Sequence, residues 1–270
     1  MKTVDIYQID AFADAVFKGN PAAVCPLQEW LPDTLLQHIA EENNLSETAF
    51  FVPQIDGSYH LRWFTPEVEV DLCGHATLAA GHVLFEHLLH SGDEIHFYSH
   101  LSGNLHVLRN RDLLTLNFPV RKAQAAPLIE TLRAGFNLQP ETVHKSRDYL
   151  LVYNTAAEIL QLQPNFMHLN QLGNEALGII VTAPGNDMGC DFVSRFFVPN
   201  SVIGEDPVTG SAHCTLIPYW AEKLGKNQLQ AKQVSARGGT LFCELSGNRV
   251  LISGHAATYM KGCLYLPEVL

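Results

Sequence analysis

One stretch of this chain occurs twice. Arg62-Trp63-Phe64-Thr65-Pro66 leads through Val68, Val70 and Leu72 to Cys73-Gly74-His75-Ala76-Thr77 and an apolar run. Arg195-Phe196-Phe197-Val198-Pro199 leads to Thr209-Gly210-Ser211-Ala212-His213 and another. Each copy reads as strand, loop, glycine, helix. Such a pseudo-repeat calls for two similar halves, each presenting a helix N-terminus. The free N–H groups and positive dipole end of a helix suit an anion, so two such ends facing one cleft would hold a small carboxylate. The ordinary alternative is a duplication whose helices merely pack.

In the second copy, Pro207 is excluded from a helix interior, Gly210 lets the backbone approach a ligand, and Ser211 brings a hydroxyl to the first free N–H groups. Asp206 would stand beside that positive end. A Gly-Ser pair before an apolar run is by itself an N-cap. What points to chemistry is that His75, Asp206 and Ser211 are titratable or hydroxyl groups at the ends of elements.

The chain has 270 residues, 47% of them hydrophobic, enough for a large core and long enough for two domains. A formal charge of -11 without a Lys/Arg block argues against nucleic acid or an anionic membrane as the main partner. Asp5, Asp10 and Asp14 interrupt the N-terminal stretch, so no secretory leader pattern is read there, and no apolar run approaches a membrane span. A cytoplasmic location is the expectation. The six cysteines, Cys25, Cys73, Cys190, Cys214, Cys243 and Cys263, form no C-x-x-C pair and read as reduced, mostly buried thiols. Thirteen histidines invite a metal reading, but His82, His87 and His90 make no H-E-x-x-H pair and no carboxylate cluster accompanies them, so no metal is expected.

Along the chain, Val4–Ile9 alternates as a first strand, and Lys18-Gly19-Asn20-Pro21 is a turn before a second at Ala22–Cys25. Asn20 reads as a turn former. Asp33 is expected to cap a helix that stops at Asn43-Asn44. Glu47 then stands alone before the apolar strand of Ala49–Val52. Its ordinary reading is a solvated strand end; partial desolvation would instead raise its pKa towards that of a general base. Strand Tyr59–Phe64, a helix over Ala76–His90, and a meander of Ile95–Tyr98, Leu105–Leu108 and Leu113–Phe118 complete the first half. A boundary is expected near Pro119–Pro127. The second half offers a short helix at Leu128–Ala134, strands near Tyr149–Tyr153, Leu177–Thr182 and Phe192–Val198, and the helix from Ser211. Strands near Gln233–Ala236, Thr240–Leu245, Arg249–Ser253 and Thr258–Tyr265 close it. Turn-joined strands favour a mixed or antiparallel α+β architecture over a doubly wound parallel sheet.

The ordered motifs carry a family resemblance. They are Asp10-Ala11-Phe12 with Phe17-Lys18-Gly19-Asn20-Pro21-Ala22-Ala23-Val24, Ser46-Glu47-Thr48-Ala49-Phe50, Phe64-Thr65-Pro66, Cys73-Gly74-His75-Ala76-Thr77-Leu78 and Asp206-Pro207-Val208-Thr209-Gly210-Ser211-Ala212. Over essentially its whole length the chain resembles the PhzF-like family of phenazine biosynthesis, within the wider diaminopimelate-epimerase-like fold. The resemblance implies two pseudo-symmetric α+β lobes, each a curved, mostly antiparallel sheet or barrel round a central helix, with the active site in the cleft between them. Residues 1–118 would form the first lobe and 119–257 the second, with a C-terminal strand at about 258–270 returning to the first.

The resemblance also makes Glu47 the proton shuttle and puts His75 and Asp206 in the catalytic set. Ser211 matches a substrate-contacting position, Gly74 and Gly210 match sites where backbone N–H groups meet substrate, and Asn20 joins the substrate-binding set. Cysteine-dependent epimerases of this fold place a thiol before the glycine in both halves; here the positions hold Cys73 and Thr209. The expected function is a cofactor-independent isomerase moving a proton between carbons of a small carboxylated, anionic metabolite. A homodimer is compatible with it. The alternatives are a non-catalytic metabolite-binding or interaction protein and a thiol-dependent racemase. Nothing resembles a G-x-G-x-x-G unit, a P-loop or a pyridoxal phosphate lysine motif.

Overall fold

A computed structural model describes residues 2–173 and 175–266. Contacts divide the chain into two units, one of Met1–Asn117 with Ser253–Leu270 and one of Phe118–Ile252. The first runs β1 (Lys2–Ala11), β2 (Asn20–Pro26), α1 (Asp33–Asn43), β3 (Glu47–Pro53), β4 (Tyr59–Phe64), β5 (Glu69–Val70), α2 (Gly74–His82), β6 (Glu94–Ser99), β7 (Gly103–Asn110) and β8 (Leu113–Pro119). The second runs β9 (Gln124–Ala125), α3 (Glu130–Ala134), β10 (Thr142–Lys145), β11 (Tyr149–Val152), α4 (Ala156–Gln161), α5 (Phe166–Leu169), β12 (Ile179–Pro184), β13 (Phe192–Phe197), β14 (Glu205–Asp206), α6 (Gly210–Leu224), β15 (Gln228–Gln233), β16 (Gly239–Ser246) and β17 (Arg249–Gly254). The last strand, β18 (Ala256–Leu266), pairs antiparallel with β1 from Lys2 against Leu266 to Ala11 against Ala256. Residues 267–270 of the expected C-terminal strand lie outside the described residues.

Within the first unit, β2 and β3 are parallel, β4 is antiparallel to both β3 and β5, and β4 is parallel to β6. The second unit repeats this: β11 and β12 parallel, β13 antiparallel to β12 and β14, and β13 parallel to β15. Registers fix the counterparts. Phe64 faces Glu69 and Thr48, as Phe197 faces Glu205 and Ile179. The counterpart of Glu47 is therefore Gly178, that of Val70 is Asp206, that of Cys73 is Thr209, and that of His75 is Ser211.

The repeated Arg-x-Phe motif acquires a physical meaning here. Arg62 grips Glu69 through two nitrogens at 2.8 and 2.7 Å and lies 5.0 Å over the Phe64 ring; Arg195 grips Glu205 at 2.7 and 2.8 Å and lies 4.8 Å over Phe197. Bidentate pairing of this kind locks the short strand that feeds each helix. The third guanidinium nitrogen reaches an earlier helix, at Asp33 of α1 or at the Ile159 carbonyl of α4 and the Leu162 carbonyl at its C-terminus.

α2 carries apolar or small residues on every face, and each residue from Gly74 to Gly81 is buried. A helix apolar all round needs walls on all sides; α2 contacts β1, β2, β3, β7 and β18. A Cβ on Gly81 would come 2.8 Å from Val107 Cγ1, so the helix lies close against β7.

The structure corrects several local expectations. Asp33 is the first residue of α1 rather than its cap: Pro32 precedes it, and its carboxylate serves Arg62. The expected helix over Ala76–His90 is α-helical only to His82 and continues as a π turn over Val83–His87, with Leu88 N–H donating to Val83 O at 3.0 Å. The expected strand at Gln233–Ala236 lies earlier, as β15, whose alternation is carried by glutamines and a lysine that mask it. α4, opened by a capping box of Thr155 and Glu158, and β10 and α5 are additional to the elements expected from the sequence. Pro218 sits inside α6, where its missing N–H would orphan the Cys214 carbonyl. That carbonyl accepts instead from Arg121 N–H at 2.9 Å. Among the described residues no helix is long and apolar enough to cross a membrane.

Candidate active site

In the first unit, Gly19 (φ +65°) turns the chain into β2, and a Cβ there would strike Ala11 O at 2.2 Å, so glycine is required. Asn20, fully buried, follows as the first residue of β2; Glu47 opens the neighbouring β3 two positions off in register, opposite Ala22. Gly74 and His75 open α2, with Cys73 in extended conformation before it. These elements bring Asn20, Glu47, Cys73 and His75 together. Asn20 Nδ2 donates to His75 Nδ1 at 3.1 Å, Cys73 Sγ stands 3.5 Å from the same nitrogen, and His75 Nε2 lies 3.2 Å from Glu47 Oε2.

An imidazole accepting at Nδ1 is neutral with its proton on Nε2, the nitrogen turned to Glu47. Burial agrees, pushing the His75 pKa down to about 3. The Asn20 amide, donating to Nδ1, also leaves that nitrogen no acceptor for the second proton of an imidazolium. The Nε2–H is not aligned for a full hydrogen bond to Oε2 despite the short separation. The contact between His75 Nε2 and Glu47 Oε2 is therefore one between a neutral ring and a carboxylate.

Glu47, Cys73 and His75 also offer three donor atoms within 4.8 Å of one another. The imidazole, however, turns Nδ1 to Asn20 and Cys73 and Nε2 to Glu47. Its lone-pair nitrogen is on the side away from the carboxylate, an arrangement suited to handling protons rather than to closing three ligands on one ion.

In the second unit, Asp206 ends β14 and accepts from Thr209 Oγ1 at 2.5 Å. Thr209 precedes α6 without capping it, because its hydroxyl is turned to Asp206. Gln233, at the end of β15 and 1% exposed, fixes this turn: Oε1 accepts from Thr209 N–H at 2.8 Å, and Nε2 donates to Asp206 O at 2.8 Å and Thr209 Oγ1 at 3.2 Å. Gly210 is the first residue of α6. Ser211, the second, does not cap; its hydroxyl accepts from Arg147 Nη2 at 3.1 Å, and Arg147 is held by the buried Asp148 at 3.0 Å. His213 donates from Nδ1 to Thr209 O at 2.8 Å, as Thr77 Oγ1 donates to Cys73 O at 2.6 Å in the first unit. Burial lowers the His213 pKa to about 4.

The sequence reading thus finds Asn20, Glu47, Gly74 and His75 gathered in one unit, and Asp206, Gly210 and Ser211 in the other. It missed Gln233 and Arg147, which lie far from any motif and carry no local signal. The two sets are not equivalent. Where the first has Glu47 the second has Gly178, and the space a side chain would need there is taken by Phe196, whose Cζ lies 2.1 Å from an ideal Cβ.

A family model described as phenazine biosynthesis-like protein, PhzC-PhzF, matches residues 9–262. An uncharacterized isomerase of Pseudomonas aeruginosa is 51% identical over 261 residues, covering 97% of this chain and 98% of that protein. A crystal structure of a PhzF-family phenazine biosynthesis protein from Enterococcus faecalis superposes with a TM-score of 0.94 at 46% identity, covering 98% of this chain and all of that one. A hydroxyproline epimerase from Agrobacterium vitis, solved with trans-4-hydroxy-L-proline, shares the fold at a TM-score of 0.59 and 10% identity, with 97% of this chain and 92% of that one covered.

Proposed function

The chain belongs to the phenazine biosynthesis-like PhzC-PhzF family, and from that premise we propose that it is an isomerase in which Glu47 moves a proton between two carbons of a small carboxylated metabolite. The observation that carries this reading is a single carboxylate, Glu47, set against a neutral His75, with glycine at its counterpart position. A two-base racemase needs a proton carrier on each side of its substrate. Here the counterpart of Glu47 is Gly178 and that of Cys73 is Thr209, so neither group has a matching proton carrier at its counterpart position, and this favours one group that takes the carbon-bound proton and returns it.

In this scheme Glu47 removes a proton from a carbon next to an electron-withdrawing group. The C–H electron pair moves into that group and shifts the double bond, and protonated Glu47 delivers its proton to the carbon at the other end of the system. His75 Nε2–H, 3.2 Å from Oε2, is proposed to turn onto the carboxylate and hold it once substrate fills the site. The first turns of α2 and α6 have N–H groups without intrahelical acceptors, and those at Gly74 and Gly210 are proposed to bind carboxylate or developing enolate charge. Asp206, oriented by Thr209 and Gln233, is proposed to hold or protonate a polar group of the same substrate, with Ser211 and Asn20 as further contacts. The scheme draws on no cofactor.

The test begins with metabolite fractions that raise the melting temperature, since a ligand of the native state stabilises it. Each hit is incubated in deuterated buffer with the parent and with Glu47→Gln. Gln keeps the shape of Glu but accepts no proton, so exchange at carbon and product formation should fall by about 10²–10⁴-fold while binding persists. Equal exchange and turnover in Glu47→Gln would refute the assignment.

A further inference from the structure

β6 alternates strictly between exposed and buried residues, placing Glu94, His96 and Tyr98 on its outer face. On the antiparallel β7, His106 stands directly opposite His96 on that same face. The two imidazoles meet edge to face with centroids 4.7 Å apart. Glu94, two residues before His96 and so on the same side of the strand, accepts from His106 Nδ1 at 3.0 Å with Oε1, and its Oε2 lies 3.9 Å from His96 Nε2. Three donor atoms from three side chains therefore lie within 4.8 Å of one another. This cluster is separate from the Glu47 site in sequence and in the strands that build it.

We propose that Glu94, His96 and His106 form a binding site for a divalent transition-metal ion of the zinc, nickel or copper(II) type. Two imidazoles and a carboxylate are the donor set that borderline cations choose over magnesium or calcium. Ligands about 2.0–2.2 Å from a tetrahedral ion stand roughly 3.4 Å from each other. His106 Nδ1 lies 3.0 Å from Oε1 and His96 Nε2 3.9 Å from Oε2, and the ligand atoms of the three side chains fall within 4.8 Å, so small side-chain rotations bring one carboxylate oxygen and both imidazoles onto an ion in place of the proton between His106 and Glu94. The β6–β7 ladder fixes the two histidines by backbone pairing, so the site is pre-organised without help from a loop. Its open side faces a groove of about 640 Å³, walled also by Asp56, Ser58, Tyr98 and Asn104, which leaves room for water or a further donor on the ion.

Exposed ion pairs add little to stability, so substitutions here leave the fold intact and read out binding alone. The full chain is dialysed against zinc chloride and its bound metal counted, beside His96→Ala, His106→Ala, Glu94→Gln and Cys73→Ala. About one zinc per chain is expected, with binding weakened on the order of tenfold or more in each histidine variant, less in Glu94→Gln, and unchanged in Cys73→Ala. In the parent, substoichiometric copper(II) should broaden the imidazole resonances of His96 and His106 first. No zinc uptake, uptake indifferent to His96 and His106, uptake lost in Cys73→Ala, or copper broadening centred elsewhere would each overturn the proposal.

Discussion

Three imidazoles that the fold keeps neutral should make this protein fail in acid well before its carboxylates titrate. Burial lowers the pKa of His75 to about 3 and those of His82 and His213 to about 4, against about 6.5 for a histidine in an unfolded chain. Between roughly pH 6.5 and 4 the unfolded state therefore binds three more protons than the native state, and stability must drop as pH falls. The sign is fixed: the contribution is whole above about 6.5 and gone at the folded pKa values. Each proton is worth about 1.4 kcal/mol per pH unit, so the limiting slope is about 4 kcal/mol per unit, against a typical total stability of about 5–15 kcal/mol. His60, His87 and His144 are lowered as well, each chiefly by burial, and add in the same direction. Asp33, held low chiefly by its hydrogen bond from Arg62, gives way only at more acidic pH. Urea unfolding followed by tryptophan fluorescence at half-unit steps from pH 7.5 to 4.5 measures the slope. His213 is the cleanest single reporter, because Nδ1–H donates to Thr209 O while the buried Nε2 has no acceptor for a second proton. Asn in its place keeps a donor and removes the titration, so His213→Asn should lower the slope by about 1.4 kcal/mol per unit whatever its absolute stability. A stability flat to within about 1 kcal/mol from pH 7 to 5, or a slope unchanged in His213→Asn, would refute the reasoning.

Cys73→Ala should leave turnover within about tenfold, a difference of roughly 1.4 kcal/mol, because its counterpart is Thr209; a loss of several orders of magnitude in a folded variant would restore a thiol mechanism. Gln233→Leu should cost about 2–5 kcal/mol in urea unfolding, since the Thr209 N–H and Asp206 carbonyl lose their buried partner; a change under about 0.5 kcal/mol would show that the turn does not depend on it. Gly178→Ala forces a methyl into the Phe196 ring and should destabilise by about 1–3 kcal/mol. An unchanged denaturation midpoint there would mean that Phe196 yields freely.

The repeat was legible because both copies keep Arg-x-Phe-x-Pro followed by Gly-x-Ala in the same order. Its depth was not: nothing in the sequence says that Arg62 and Arg195 grip acids seven and ten residues on, since the intervening loops differ in length. Glu47 shows why local reading stalls at a site. Taken alone it is an acid at a strand end, and what makes it more is a histidine 28 positions later, carried to it by the start of another element. Gln233 was invisible for the same reason, because its three bonds all reach back more than twenty residues. The π turn after His82 and the passage of α6 through Pro218 escaped because tertiary partners, Thr258 for His82 and His87 and Arg121 for Cys214, overrule local propensity.

The pairing of β1 with β18 sets an order on the birth of the molecule. A ribosome releases residues one after another, and domains fold as units as they emerge. The Phe118–Ile252 unit is continuous in the chain, and β17 is the last of its strands to emerge. The other unit begins before it and is completed after it, because the ladder joining Lys2 to Leu266 closes a loop that contains the whole of the Phe118–Ile252 unit. Such non-local pairing is slow, and until it forms β1 has β2 on one side and an open edge on the other. The elements that carry Glu47 and His75 are thus built beside a sheet edge that stays open until β18 has been made.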